Sequence, residues 1–287
     1  MVSAAPPEAP DHPSRDCAAP RPSRYALAAV SFSLVAAKST AVANAHTSSR
    51  RRWGSPSLPL TGAVVAASKM GKAIMAAASP SLPLTTPGAT RFYRSSGPVA
   101  TQTVRARVDD GARLEWLPLE SLCYSACQAE NHLTLQLAPG AESMAWDVTA
   151  LGLPHARQPF AAGRVLQHLE LPGVWLERGV IDAADQRLLN SPLGLAGHTT
   201  LATLVLATGT ALDRTRREQA LDAARAVLQA HPLAATAGAT SPHPQVVVVR
   251  ALAHQVEPAM QLMKAVRAAW RTALWNLPAT VPRVWAL

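Results

Sequence analysis

Apolar and polar residues alternate with a period of two from Thr101 onward. Val104, Ala106 and Val108 fall on one side of an extended segment and Arg105 and Arg107 on the other, which predicts a half-buried strand. Asp109-Asp110-Gly111 turns the chain, and Leu114 and Trp116 resume the alternation. The same grammar returns at Leu133, Leu135 and Leu137, the turn Pro139-Gly140, and then Met144, Trp146 and Val148. Both units carry Gly-Ala followed shortly by Trp, about thirty residues apart. This predicts successive strand layers stacked on one another, although two related turns in a meander give the same text. Val165–Leu171 and Val174–Ile181 read as a hairpin around Pro172-Gly173. Two helices follow. Asp213 caps a helix over Arg214–Gln229, with Ala220, Leu221, Ala224, Val227 and Leu228 at helical spacing. The second runs from about Glu257 to Trp275 with Pro258 in its first turn, and Val246–Ala251 is a short buried strand between them. The expected fold is therefore mainly β, a two-layered, β-helix-like stack with two α-helices in the C-terminal half.

The segment from Leu84 to Trp116 is the densest in signals: the turn Pro87-Gly88, the cationic aromatic cluster Arg91-Phe92-Tyr93-Arg94, a second turn at Ser95-Ser96-Gly97-Pro98, the alternating strand and Trp116. Residues 1–84 differ in kind. They are rich in Ala, Ser and Pro, with few periodic apolar patterns, the run Arg50-Arg51-Arg52, and the word SPSLPLT at Ser55–Thr61 and again at Ser79–Thr85. Two copies are too few for a solenoid. The segment reads as an atypical low-complexity leader, disordered or mistranslated, ahead of one β-rich domain over residues 85–287.

With 287 residues, 48% of them apolar, the chain can bury a sizeable core, while 24 prolines, seven tryptophans and a charged fraction of 16% favour sheet and turn over long helix. The net charge of +9 is uneven: residues 1–84 hold nine Lys/Arg against three Asp/Glu, and residues 85–287 hold eighteen against fifteen. The basic excess thus sits in the leader rather than on a recognition module, which argues against nucleic-acid binding. Three cysteines, Cys17, Cys123 and Cys127, build no disulfide framework and fit a reducing cytosol. No apolar run reaches the roughly 18 residues of a spanning helix. Tyr25–Ala37 with Ala43-Asn44-Ala45 mimics a secretory signal, but Lys38 and the long polar lead-in weaken the match.

Motifs for chemistry are missing. There is no C-x-x-C, H-E-x-x-H, H-x-H or EF-hand loop, no G-x-S-x-G elbow and no phosphate loop. Cys123 and Cys127 lie about 13 Å apart if both belong to one strand and read as structural thiols. His132, His168 and His198 stand singly beside strands or turns and read as satisfied polar residues. The informative polar positions are carboxylates next to tryptophans: Glu115 before Trp116, Asp147 after Trp146, and Glu177-Arg178 close after Trp175. In a strand the neighbour of a core tryptophan faces the other way, toward solvent, a docking partner or an internal channel.

These residues resemble the urease accessory protein family UreD, also called UreH. The resemblance runs through Thr85-Thr86-Pro87-Gly88-Ala89-Thr90-Arg91-Phe92-Tyr93-Arg94-Ser95, Leu114-Glu115-Trp116-Leu117-Pro118, Trp146-Asp147 and Leu151-Gly152. It continues through Glu177-Arg178, Ser191-Pro192-Leu193-Gly194 and the tail from Trp270 to Trp285. It implies a non-catalytic, cytoplasmic maturation factor that binds apo-urease and joins UreF and the GTPase UreG, with a dimer possible in that complex, to deliver nickel to the urease active site. It implies no cofactor and no tightly bound metal, with nickel in transit, and makes Glu115, Asp147, Glu177 and Arg178 the candidates for nickel transit or partner docking. Thr86, Gly88, Arg91, Phe92, Tyr93, Arg94, Trp116, Gly194 and Trp285 carry the family motif. Family members normally have strands and a glycine-rich H-P-P-G-G-x-x-G-G-D motif upstream of the T-T-P-G-A segment, which residues 1–84 do not contain. A shifted reading frame upstream of about Leu84 would account for this; otherwise the sheet is expected to lack its first strands and expose an unpaired edge. Two other readings stand beside the resemblance: an exported or organellar β-domain binding an acidic ligand through its basic leader, and a hydrolase whose triad is assembled in space.

Overall fold

The computed structural model describes residues 27–35, 71–76 and 81–286. Its strands are β1 (Leu27–Val35), β2 (Gly71–Ala76), β3 (Leu82–Leu84), β4 (Thr90–Phe92), β5 (Ala100–Val108), β6 (Arg113–Trp116), β7 (Ser121–Cys123), β8 (Cys127–Leu137), β9 (Glu142–Leu151), β10 (Gly163–Leu171), β11 (Trp175–Asp182), β12 (Thr200–Thr208), β13 (Ala237–His243) and β14 (Val246–Ala253). Helix α1 (Gln186–Asn190) precedes β12, α2 (Arg214–Gln229) follows it, and α3 (Val256–Trp275) follows β14. The strands form two sheets. Sheet A has the order β11-β10-β8-β5-β1-β2. Sheet B has the order β13-β14-β12-β9-β6-β3, with β7 beside β9 and β4 beside β7.

The thirty-residue recurrence in the sequence is a coil. The chain passes through sheet B as β3 and β4 and crosses to sheet A as β5. It returns to sheet B as β6 and β7, crosses again as β8, and completes a third pass as β9 and β10. Equivalent strands of successive passes pair in parallel: Leu84 with Trp116 and Trp116 with Ala145, Phe92 with Cys123 and Cys123 with Leu151, Val104 with Leu133 and Leu133 with Leu169. The corners stack as well, because the Ala138 N–H donates to Val108 O at 2.9 Å and the Glu142 N–H to Ala112 O at 3.1 Å. Stacked layers are therefore the right reading and a meander is not. After β10 the pairing turns antiparallel: β11 folds back on β10, β12 lies on β9, and β14 joins β12 to β13.

Sheet B is covered on both faces. One face meets sheet A; the other meets α2 and α3, which bury Ala220, Ala224 and Leu228, and Leu262, Met263, Val266 and Trp270, against Trp146, Leu204, Val247 and Val249. The Trp270 indole donates to Ala220 O at 2.8 Å and ties the two helices together. Asp213 caps α2 by accepting from the Arg216 N–H at 2.8 Å. Between the sheets lie two further apolar clusters, one around Val104, Leu133, Leu169, Val205 and Val248 and one around Phe92, Cys127, Ala129, Val165 and Ile181.

Two expectations change. The β5 edge is not unpaired: β1 lies antiparallel on it, with Ala28 opposite Val108, and β2 lies on β1. Both strands come from the leader. Cys17, the Arg50-Arg51-Arg52 run and the first SPSLPLT copy fall outside the described residues. Cys123 and Cys127 are also not in one strand. A turn over residues 124–126, with Ala126 at φ 65°, folds β8 back from β7, and the two buried thiols share a hydrogen bond. That bond, with burial, holds Cys123 well above the usual thiol range, while accepting it lowers Cys127. No helix among the described residues is long and apolar enough to cross a membrane.

Candidate functional site

Alternation along β5, β8 and β10 places one polar residue inside an otherwise apolar inward face on each strand: Gln102 between Ala100 and Val104, Asn131 between Ala129 and Leu133, Gln167 between Val165 and Leu169. Register aligns them, Gln102 beside Asn131 and Asn131 beside Gln167. Sheet B answers with a row of its own, because Thr203 pairs with Asp147 on one side and Arg250 on the other. A polar layer one residue thick thus crosses the sandwich between the two inter-sheet apolar clusters.

Asp147 is its centre. Its carboxylate accepts from Asn131 Nδ2 at 2.7 Å, from Gln167 Nε2 at 2.6 Å and from Thr149 Oγ1 at 2.9 Å. Gln102 Nε2 donates to Asn131 Oδ1 at 3.2 Å, and Thr90 Oγ1 donates to Gln102 Oε1 at 2.9 Å, extending the chain to β4. At the far end Glu177 of β11 receives the Arg250 guanidinium of β14, which joins the two sheets at their edge. A cavity of about 40 Å³ opens among these groups, its polar wall formed by Gln102, Asn131, Asp147, Gln167, Glu177 and Thr203 and the rest of its wall mainly by apolar residues such as Val104, Leu133 and Leu169, enough for one or a few water-sized occupants. Burial pushes the Asp147 carboxyl up to about 6; the hydrogen bonds from Thr149 and Asn131 oppose this, and the Glu177 charge adds to it. Asp147 keeps some accessible surface only because it lines the cavity.

Glu115 occupies a different place. Trp116 faces sheet A, so Glu115 faces the helices, where it is 0% exposed. Its carboxylate accepts from Arg267 Nε at 2.5 Å, from Arg271 Nη1, and from Ser81 Oγ at 3.0 Å. Desolvation, together with the neighbouring Arg267 cation and against the pull of Glu115, lowers the Arg271 pKa. This triad pins α3 to β6 and anchors the chain after α3: Arg267 Nη1 donates to Thr280 O at 2.7 Å and Arg271 Nε to Pro278 O at 2.8 Å. A carboxylate held by two guanidiniums and a hydroxyl has little capacity left for a further cation. Arg178 is exposed on the opposite face of β11 from Glu177.

The motif residues divide between scaffold and surface. Thr86 Oγ1 accepts from the Leu119 N–H at 2.9 Å, and Phe92 is buried in the cluster around Cys127. Trp285 stacks on Trp146 at 5.1 Å, with Lys264 Nζ 5.0 Å and Arg267 Cζ 5.2 Å from its ring. Gly194 packs so closely on α1 that a Cβ there would lie 2.1 Å from Leu188 O. Arg91, Arg94 and Gly88 are exposed, as is Tyr93, whose ring lies 4.9 Å from that of Tyr124.

Comparison with known proteins decides the family. The family model described as UreD urease accessory protein matches residues 57–286. The chain belongs to the UreD family. The urease accessory protein UreD of Paracidovorax citrulli is 66% identical over 204 residues, which cover 71% of this chain and 74% of that protein. UreD of Albidiferax ferrireducens is 65% identical over the same length and shares of the two chains, and UreD of Leptothrix cholodnii 57% over 202 residues. The UreD match reaches back into the leader, past residue 85. Sequence reasoning flagged Asp147 and Glu177 but missed Gln102, Asn131, Thr149, Gln167 and Arg250. For Gln102, Asn131, Gln167 and Arg250 the signal was available: a polar residue at an inward position with apolar residues two before and two after.

Proposed function

We propose that this chain acts in urease maturation in the cytoplasm, as a non-catalytic scaffold that binds apo-urease and joins UreF and the GTPase UreG so that nickel reaches the urease active site. Membership of the UreD family is the observation that carries this reading. The polar layer supports a role for Asp147 and Glu177 in the passage of the ion. Its carboxylate, amide and hydroxyl oxygens are weak donors for a borderline divalent cation, and a weak lining lets an ion leave where thiolates and clustered imidazoles would retain it. Asp147 can lose its proton near neutral pH as a cation arrives. Glu177 is the group a cation would meet at the sheet edge after displacing Arg250. The closed triad of Glu115 supports a framework role that holds α3 and the residues after it in place for docking, and the exposed Arg178 suits a partner contact.

The test is expression in a urease-positive strain deleted for its own UreD. The wild-type chain should co-purify with UreF and apo-urease and restore nickel-dependent urease activity. Asp147→Asn with Glu177→Gln should keep the complex and lower activation at least tenfold at limiting nickel. No complex and no activation by the wild-type chain would overturn the maturation role; full activation by the double variant would remove the two carboxylates from it.

A further inference from the structure

Cys123 and Cys127 have no part in the maturation reading. They are the last residue of β7 and the first of β8, so the turn between them joins sheet B to sheet A. Backbone contacts hold both ends of it. The Cys127 N–H donates to Tyr124 O at 3.1 Å and closes the turn, and the Gly152 N–H donates to Cys123 O at 2.8 Å. A Cβ on Gly163 would lie 2.4 Å from Cys127 O, so β10 packs directly on that end. Both side chains enter one apolar cluster with Phe92, Leu151 and Val165, where they meet in a shared hydrogen bond. Tyr124, Ser125 and Ala126 are half-buried, which puts the thiols one residue beneath the surface. The bond makes the two sulfurs unequal: Cys123 donates, Cys127 accepts, and the accepted proton favours the thiolate of Cys127.

We propose that Cys123 and Cys127 are a peroxide-responsive dithiol that closes to an intramolecular disulfide and locks the turn between the two sheets. The Cys127 thiolate attacks one oxygen of a hydroperoxide such as hydrogen peroxide. The O–O bond breaks, the leaving hydroxide takes up the proton that the thiol released, and Cys127 becomes a sulfenic acid. Cys123 then attacks the Cys127 sulfur, its S–H proton leaves with the displaced hydroxyl as water, and the S–S bond forms. Two thiols and one hydrogen peroxide thus give one disulfide and two molecules of water. The sulfurs need only move from hydrogen-bond contact to the roughly 2.05 Å of a disulfide, while the chain on either side stays paired in its sheet. The locked turn is a junction for two other segments. Ser125 Oγ accepts from the Ala161 and Ala162 N–H groups at 3.2 Å each, Ala126 O accepts from the Ser95 N–H at 3.0 Å, and the Tyr124 ring lies against that of Tyr93. The redox state of the pair therefore sets the stiffness of the exposed surface around Tyr93 and Arg94, and it does so whether or not the urease reading holds.

The full-length Cys17→Ser chain, treated folded with excess hydrogen peroxide and then unfolded in guanidinium for thiol titration, tests it. Free thiols should fall from two per chain to none and return to two with dithiothreitol. Peptide mapping should join Cys123 to Cys127 in a chain lighter by two hydrogen atoms. Cys123→Ser keeps a donor to the Cys127 sulfur and should trap Cys127 as a sulfenic acid that dimedone labels, whereas Cys127→Ser should leave Cys123 unlabelled. Amide hydrogen exchange at Ser95, Ala126 and Ala162 should slow several-fold in the oxidised chain. The thiol titration, mapping and exchange need no substitution in the core, so they decide the matter even where a serine variant fails to fold. The proposal is overturned if both thiols survive treatment of the folded chain, if Cys127 is carried to sulfinic acid with no disulfide, if dimedone labels Cys123 and not Cys127, or if the three amides exchange alike in both states.

Discussion

Asp147 is a carboxyl that the fold would rather keep neutral. An unfolded aspartate titrates near 4 and this one at about 6, so the folded chain holds a proton that the unfolded chain has released between those values. The resulting stabilisation is complete below about pH 4 and is lost as the pH rises through about 6. Asp147→Asn should therefore raise stability at pH 8 by about 1–3 kcal/mol, the lower part of that range reflecting water in the cavity, and leave stability at pH 4 unchanged. Urea denaturation at the two pH values measures it; equal changes at both would exclude an ionised Asp147 as the source. A gain in stability from removing a charge marks a residue retained for another reason. The sequence singled out Asp147, Glu115 and Glu177 through nearby tryptophans, and alternation sent Asp147 and Glu115 to the face opposite the adjacent tryptophan, whereas Glu177, two residues from Trp175, shares the face of that tryptophan. Alternation could not say what lay there. Sheet B is buried on both faces, so the same rule sends Glu115 to the helices and Asp147 to sheet A.

At the scale of elements, legibility followed how each strand is covered. β5 has one exposed face, and its alternation was read correctly to the residue. β12 has none: Leu204, Val205, Leu206 and Ala207 are all buried, so its TLATLVLAT text has no period of two and was passed over, as expected for a strand enclosed on both sides. The short strands β3, β4 and β7, three residues each, draw their stability from the parallel neighbours of the next pass rather than from local preference. α1 was missed for the same reason, being a single turn capped by Asp185 and braced by Gly194. α2 was legible because its cap is local. Asp213→Ala removes the acceptor for the Arg216 N–H and should cost about 1 kcal/mol in a urea melt; Asp213→Ser should restore most of it.

The whole molecule is organised around sheet B, which serves two cores at once. Trp146, Trp270 and Trp275 report on the core under the helices, and Trp116 and Trp175 on the space between the sheets. Because every strand of sheet B contributes to one or both cores, neither can be lost without exposing the other. Tryptophan fluorescence and far-ultraviolet circular dichroism should therefore give coincident urea transitions, and two separated midpoints would show that the layers unfold apart. Parallel pairing between positions about thirty residues apart in sequence also makes this a topology of long-range contacts, which folds slowly.

The polar layer has a last consequence, for alignment. Apolar side chains are interchangeable enough that one greasy sheet face can slide over another and still exclude water. A slip of two residues between the sheets here would set Asp147 against the stratum of Val104 and Leu133, which offers a carboxylate nothing to bond and imposes a cost of several kcal/mol. The row of amides and its single acid therefore act as an index notch, a mark by which each sheet finds its one setting on the other.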